Sequence, residues 1–428
     1  MSKVRLELRK VAIGIACLTG ITFITTTATA QNTDVYVVGN EGSNAYYLWK
    51  NGVVTNQTSY RYARSVYVAD NDVYVVGTAA TTTSYGLRNI ARIWKNGVAT
   101  NLTDGTKNAY AESVFVSGND VYVAGYENYG PSNSLLDQVV IAKVWKNGNE
   151  IVLSNSSFAL SVFVSGSDVY VAGYSTGGSE DEYVAKLWKN GVATNLSDGT
   201  KTTYARSVFV SGNDVYVAGY ESGSNGYTVK LWKNGIATNL TDGTTVADAY
   251  SVFVVGNDVY VAGRETPKDG LKSIAKYWKN GIATNLTDGT VPALTRSIFV
   301  SGNDVYVAGE YNTGSNGVAT IWKNGEATFL TNGTNFDCAY SVFVANNSTS
   351  RICNIQSNNN ITFYPNPVKE ELFIKSETNI DKIEIHDIAG QQIFTGNLSK
   401  DKSINVSSLS SGVYFLKFGD FSGKFVKE

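Results

Sequence analysis

The chain has 428 residues, with 41 Gly, 5 Pro and 27 Tyr, and a formal net charge of −2. Lys+Arg at 35 nearly cancels Asp+Glu at 37, so no basic excess is available to neutralise a phosphate backbone, which excludes a nucleic-acid partner. A chain this long, rich in aromatic and β-branched residues and punctuated by Gly, calls for many short strands around a modular core.

The first thirty residues read as a targeting segment outside the fold. Lys3, Arg5, Arg9 and Lys10 form a basic start, residues 11–27 are uncharged and largely apolar, and Ala28-Thr29-Ala30 is a small-x-small cleavage site. The mature chain is then expected to begin at Gln31. A rival reading lipidates Cys17, but Gly14-Ile15-Ala16 is a poor lipobox and leaves a very short apolar run. No later run of roughly 18 apolar residues occurs, so no transmembrane segment is expected. After cleavage only Cys338 and Cys353 remain, and two cysteines in an exported chain suggest one disulfide.

Residues 31–346 are repetitive. All seven Trp lie in Trp-Lys-Asn-Gly, at Trp49, Trp94, Trp145, Trp188, Trp232, Trp278 and Trp322, spaced 43 to 51 residues apart. Asp-Val-Tyr-Val starts at Asp34, Asp72, Asp120, Asp168, Asp214, Asp258 and Asp304. Ser-Val-Phe-Val or a near variant starts at Ser65, Ser113, Ser161, Ser207, Ser251, Ser297 and Ser341.

Each unit reads as four strands. In residues 207–243 these are 207–210, 214–219, 227–232 and 236–240, joined by Gly/Asn turns and one variable loop. Both faces of the first two strands are apolar, as expected of a sheet held between two neighbours. The fold expected is all-β: a seven-bladed β-propeller of four-stranded blades. The Trp and Tyr read as packing between blades. The Asp of Asp-Val-Tyr-Val reads as a turn residue, as do Asp104, Asp198, Asp242 and Asp288. One carboxylate per turn is too few for a calcium cage.

The ends suggest how the ring closes. The mature chain begins on a second strand, 34–37, and leaves the repeats on a first strand, 341–344. Pairing of 341–344 with 34–38 would remove both exposed edges. In a competing arrangement 348–353 folds back on 341–344 and sets Cys353 opposite Cys338. A disulfide there would close a loop of roughly 15 residues, worth about 3 kcal/mol in the chain-entropy picture. Over about 34–346 the repeats resemble propeller repeats with a Leu/Tyr-Trp-Lys-Asn-Gly word from exported proteins of the Bacteroidota. That resemblance implies a fold and no activity.

Residues 347–360 are rich in Asn and Ser and read as a linker. Residues 361–428 change to short alternating strands. Four words follow in order: Tyr364-Pro365-Asn366-Pro367; 382–390, ending in Asp387-Ile388-Ala389-Gly390; 409–416, with Gly412 and Tyr414; and Lys424-Phe425-Val426-Lys427. This segment resembles the type A sorting domain of type IX secretion, with His386 where that family has an aromatic. The resemblance implies a small C-terminal β-sandwich, recognition by the type IX machinery and passage across the outer membrane after periplasmic transit. The mature product would be released or held on the cell surface.

Catalysis finds little support in the residues. The one histidine, His386, lies in the C-terminal segment, so the propeller lacks a histidine for a triad, a general base or a zinc site. Sialidase-type Asp boxes and Gly-rich phosphate loops are absent. The non-repeated acids Glu127, Asp137, Glu180, Asp181, Glu182, Glu221, Glu265 and Glu310 are spread over different loops. The chain is therefore expected not to be an enzyme, and no catalytic residue, cofactor or metal is expected.

Binding is the better expectation. Immediately before each inner-strand Ser stand Arg64, Glu112, Leu160, Arg206, Tyr250, Arg296 and Tyr340. One position per repeat, varied in chemistry, would ring the channel mouth. Guanidinium forks suit carboxylates and aromatic rings suit sugars. Tyr126, Tyr174, Tyr220, Arg264 and Glu310, after the second strand, are further rim candidates, and 126–140 is the longest loop. The reading is a secreted or surface binding module for a glycan or protein ligand. A structural or adhesive surface protein without a discrete ligand is the alternative, and a polysaccharide lyase or hydrolase the third.

Overall fold

The computed structural model describes residues 33–346 and 362–428. Left out are 43–44, 61, 85, 130–138, 178–181, 224–225, 269–271 and 313–315, and 376–381, 388–391, 399–400 and 419–420. The targeting segment 1–30, the linker 347–360, Cys353, Asp137, Glu180, Asp181, Gly390 and most of the loop 126–140 thus lie outside the described residues. The elements among the described residues are all strands, and no helix there is long and apolar enough to cross a membrane.

One repeat explains the others. Thr203–Ser211 pairs with Asp214–Gly223, which pairs with Gly226–Lys233, which pairs with Ile236–Asn239, every pair antiparallel. The last hairpin turns on Asn234 at φ 52° and Gly235 at φ 82°, the two left-handed positions of a type I′ turn. Asn234 also joins the two repeated words. Its Oδ1 accepts from the Val215 amide at 2.8 Å, and its Nδ2 donates to Asp214 Oδ1 at 2.8 Å. Lys233 completes the knot 2.7 Å from Asp214 Oδ2. Asp214 is therefore more than a turn residue: it anchors the neighbouring hairpin. Exposed pairs of this kind are worth no more than about 1 kcal/mol each, so their effect is mainly on register.

The sheets bury both faces. Trp232 packs with Val208 and Val217 of its own repeat and with Tyr170 and Ala172 of the repeat before. Tyr216 and Ala218 face the other way, onto Val252, Val261 and Trp278 of the next. The seven Trp are 0–2% exposed. The result is an all-β, propeller-like arrangement of four-stranded sheets, two of them joined by one parallel pair, Tyr227↔Val246.

Of the two closures the sequence leaves open, the structure has the first. Cys338–Asn346 pairs with Thr33–Glu41, with Val35↔Val344 and Val37↔Val342 in register, so one sheet takes strands from both ends of the repeats. Along Ser-Val-Phe-Val itself the innermost strands have no further described strand beside them, and the Ser serves their free amides. Val114 donates to Ser65, Val162 to Ser113, Val208 to Ser161, Val252 to Ser207, Ile298 to Ser251, Val342 to Ser297 and Val66 to Ser341, at 3.1–3.3 Å. The aromatic residues two positions on form a matching circuit. Tyr67, Phe115, Phe163, Phe209, Phe253, Phe299 and Phe343 meet in turn, with centroids 4.6–5.0 Å apart.

The C-terminal segment has its own core. A sheet of Thr362–Tyr364, Glu371–Lys375 and Ser403–Asn405 and a sheet of Ile383–His386, Gln392–Gly396, Gly412–Phe418 and Phe421–Lys427 share one cluster. Leu372, Ile383, Leu416 and Phe425 are fully buried in it. Asn366 Oδ1 accepts from the Val426 amide at 2.9 Å, and the Tyr414 hydroxyl donates to the Ser410 carbonyl at 2.7 Å. Tyr364 is exposed and stacks on Phe373 at 5.8 Å. Pro365 and Pro367 sit on either side of Asn366, Asp387 follows the strand Ile383–His386, and Lys427 ends the last strand, buried. His386 lies 3.3 Å from Glu384 on the same strand.

Candidate functional site

Each inner strand carries a β-bulge. In the fifth repeat Ala205 pairs with Gly219 and Ser207 with Ala218, leaving Arg206 without a partner. An extra residue of this kind re-aims its side chain. The glycine is what allows it. A Cβ on Gly219 would stand 1.8 Å from the Tyr204 carbonyl oxygen, so only glycine lets the second strand approach that closely. The same approach recurs at Gly39, Gly77, Gly125, Gly173, Gly263 and Gly309. The bulged residues are Arg64, Glu112, Leu160, Arg206, Tyr250, Arg296 and Tyr340.

These seven side chains line one cavity of about 360 Å3. The charges divide it into two halves. Arg64 lies 3.8 Å from Glu112, and its guanidinium is 5.0 Å from the Tyr340 ring centroid. Burial raises the Glu112 pKa, with Arg64 and then Arg206 pulling the other way. On the other side Arg296 and Arg206 flank Tyr250, 4.6 Å and 5.9 Å from its centroid. Arg206 donates to the Tyr220 hydroxyl at 2.6 Å, yet its buried Nε has no partner, and neither has Nε of Arg296. Among the described lining residues three guanidinium groups stand with one carboxylate, and Leu160 is the one aliphatic side chain.

A second belt surrounds the cavity. Tyr126 stacks on Tyr110 at 4.8 Å, Tyr174 on Phe158 at 4.6 Å, and Tyr220 lies 4.9 Å from Tyr204. Arg264 is held 3.0 Å from the buried Asp248. Of these second-strand candidates, only Tyr220 touches the cavity arginines by a hydrogen bond that the described side chains make. Glu310 and Cys338 both face Arg296. Burial, eased by Arg296, pushes the Cys338 thiol up to about 12. Cys338 is a buried free thiol in the structure, and Cys353, the other half of the expected disulfide, lies outside the described residues.

Several acids have other work. Glu127 is buried 2.6 Å from Lys143, Glu265 pairs with Lys276, and Glu221 lies 3.2 Å from Lys230. Sequence reasoning missed the bulge and its glycine. The signal was present in the invariable last residue of Asp-Val-Tyr-Val-x-Gly, a glycine inside a strand with no turn to serve.

Comparisons with known proteins now bear on this geometry. Residues 362–428 match the family described as Secretion system C-terminal sorting domain. No curated protein matches the chain. Among solved structures, an acylaminoacyl peptidase from Pyrococcus horikoshii is 13% identical with a TM-score of 0.38; the match covers 76% of this chain and 59% of that one. The β-propeller domain of the Trilobed protease from Pyrococcus furiosus, described as having an open velcro topology, is 11% identical with a TM-score of 0.34. That match covers 64% of this chain and 99% of that one. Trypanosoma rangeli sialidase in complex with sialic acid is 9% identical with a TM-score of 0.41, over 74% and 59%. The chain thus spans 59% of the length of the peptidase it matches.

One expectation is corrected here. The absence of enzymatic activity does not stand, because the matched structures include acylaminoacyl peptidases and a sialidase. At 9–13% identity and TM-scores of 0.34–0.41 these matches assign no reaction either. The tail is a different case: residues 362–428 are a C-terminal sorting domain of type IX secretion, which marks the chain for that machinery, for secretion and for attachment at the cell surface.

Proposed function

We propose that the chain is an exported, seven-bladed propeller whose central cavity binds an acidic glycan at the cell surface. The observation that carries this reading is the excess of guanidinium in the cavity. Arg206 and Arg296 flank Tyr250 with both Nε groups unpartnered, and among the described lining residues Glu112 is the one carboxylate beside three arginines, with Glu310 acting on Arg296 from outside the lining. Guanidinium grips a carboxylate with two parallel hydrogen bonds, and a tyrosine face stacks on a sugar. The count of seven is supported by the serine and aromatic circuits, each of which returns to its first member through Ser341 and Phe343. Export is supported by the basic and apolar start of residues 1–30 together with the sorting tail. The repeat type fits an origin in the Bacteroidota.

The test is an array of acidic and neutral polysaccharides probed with the mature chain. Uronate-bearing or sialylated glycans are expected to bind. Replacing Arg64, Arg206 and Arg296 together by Ala should weaken that binding by about a hundredfold, the sum of modest charge-assisted contacts. A blank on every acidic glycan would overturn the reading.

A second reading, an adhesive surface protein, is favoured by one feature. The outermost strands expose an aliphatic residue in repeat after repeat: Val98 at 71%, Val192 at 72%, Ile236 at 76% and Ile282 at 74%. Concentration-dependent self-association in sedimentation velocity, abolished by Ser at these positions, would support it.

A further inference from the structure

A second cavity, of about 420 Å3, opens where the closing strand meets the first strand of the repeats, and it shares Tyr340 with the central one. Its walls are set by one side chain. Asn40 donates through Nδ2 to the carbonyls of Gly42 and Phe336 at 2.8 Å, and its Oδ1 accepts from the Cys338 amide at 2.9 Å. The backbone around the opening is thereby satisfied and fixed.

The lining is aromatic and acidic. Tyr46 and Tyr62 lie 5.3 Å apart with their rings tilted at 54°. Tyr340 closes one side, and Phe336 stands at the mouth, 72% exposed. Tyr62 holds φ at 59°, a left-handed conformation that is rare for a bulky residue. Neither Lys nor Arg is among the described lining residues. Two carboxylates are. Glu310 faces Arg296 and the Cys338 thiol. Asp337 has no exposed surface. Its Oδ1 accepts from the Gly42 amide at 2.7 Å, and its Oδ2 has no partner.

A buried carboxylate with half its acceptors empty is costly to hold. Among the described residues the nearby cations are engaged elsewhere: Arg64 reaches Tyr340 from the central cavity and is 3.8 Å from Glu112, while Arg296 interacts electrostatically with Cys338 and Glu310. Aromatic faces beside the unpartnered Asp337 Oδ2 form an environment that favours an organic cation over a neutral molecule or an anion. The volume falls in the range of small-ligand pockets, roughly 300–1,000 Å3.

We propose that this seam cavity is a second binding site, for an organic ammonium group such as that of an amino sugar or a trimethylammonium headgroup. It is independent of the reading of the central cavity, and it takes the opposite charge. A ligand carrying both an acid and an amine could span the two through Tyr340.

The test is calorimetric titration of the mature chain with choline chloride, with glucosamine hydrochloride and with 3,3-dimethylbutanol, the uncharged counterpart of choline. At least one of the two cations is expected to bind saturably and the alcohol not to bind. The ratio of the two affinities identifies the kind of headgroup. Asp337→Asn keeps the acceptor for Gly42 and the volume, and should weaken the cation by about tenfold. Phe336→Ala removes an exposed ring without disturbing the core and should weaken it by about fivefold. Arg206→Ala should leave cation binding unchanged while weakening acidic glycans, so failure of one site is distinguishable from failure of the other. Saturable binding of neither cation, or full affinity in both Asp337→Asn and Phe336→Ala, would overturn the proposal.

Discussion

The Val66 amide donates to the Ser341 hydroxyl at 3.3 Å, although the two residues are 275 positions apart. The bond is equivalent to those that join neighbouring repeats, so the sheet that takes strands from both ends meets the next repeat as any other pair does. Ser341→Ala would leave that amide unpaired and should cost about 1 kcal/mol. Ser65→Ala, which frees the Val114 amide, should cost the same. Thermal denaturation checks both. A much larger loss at Ser341 would mean that the seam is the weak point of the ring.

The bulge rests on a close approach. Gly219→Ala puts a methyl group 1.8 Å from the Tyr204 oxygen, and two paired strands must part to admit it. A loss of about 3 kcal/mol is expected in urea unfolding. Gly223→Ala on the same strand meets its nearest atom at 3.4 Å and should cost under about 1 kcal/mol.

Glu112 opposes ligand as well as arginine. Glu112→Gln frees Arg64 from the carboxylate 3.8 Å away and removes a negative charge from the cavity. Acidic glycans should then bind roughly fivefold more tightly, as expected for one like charge removed at partial screening. Weaker binding would mean that Glu112 itself contacts the ligand. The same titrations that test the arginines read this out.

Alkaline pH should loosen the cavity. Burial pushes Tyr174, Tyr250 and Tyr340 up from 10 to about 12. The neutral phenol is the form the fold favours, and the folded pKa lies above the unfolded one. Their contribution is therefore complete below pH 10 and is lost as pH rises through about 12. Tyrosinate absorbance should show a late-ionising class, and stability should decline over that interval. Tyr250→Phe with Tyr340→Phe should flatten the decline.

Much of the fold can be read from three words. Trp-Lys-Asn-Gly gives the hairpin and the packing Trp, Asp-Val-Tyr-Val its neighbour, and Ser-Val-Phe-Val the inner edge. The position before Ser207 stands out because it varies between otherwise similar repeats, and rotation about one axis brings such positions together. What is hard to read is why Arg206 turns inward. That depends on Gly219 lying against Tyr204, a contact across strands that no local pattern announces. The seam cavity is less legible still. Asn40, Tyr62 and Asp337 come from opposite ends of the repeats and meet only once the ring is closed. The expectation about activity failed for another reason: the absence of histidine from the repeats speaks to particular mechanisms, and these do not exhaust what a ring of loops can host.

The bulge also has a consequence for how such a protein diversifies. The residue it carries is not paired in the ladder, while Ala205 before it is fully buried and Ser207 after it holds the neighbouring repeat. Inheritance can therefore copy a whole repeat with its packing intact and afterwards rewrite a single codon. Each duplication adds one letter to the wall of the cavity, and selection can edit that letter without disturbing the words on either side.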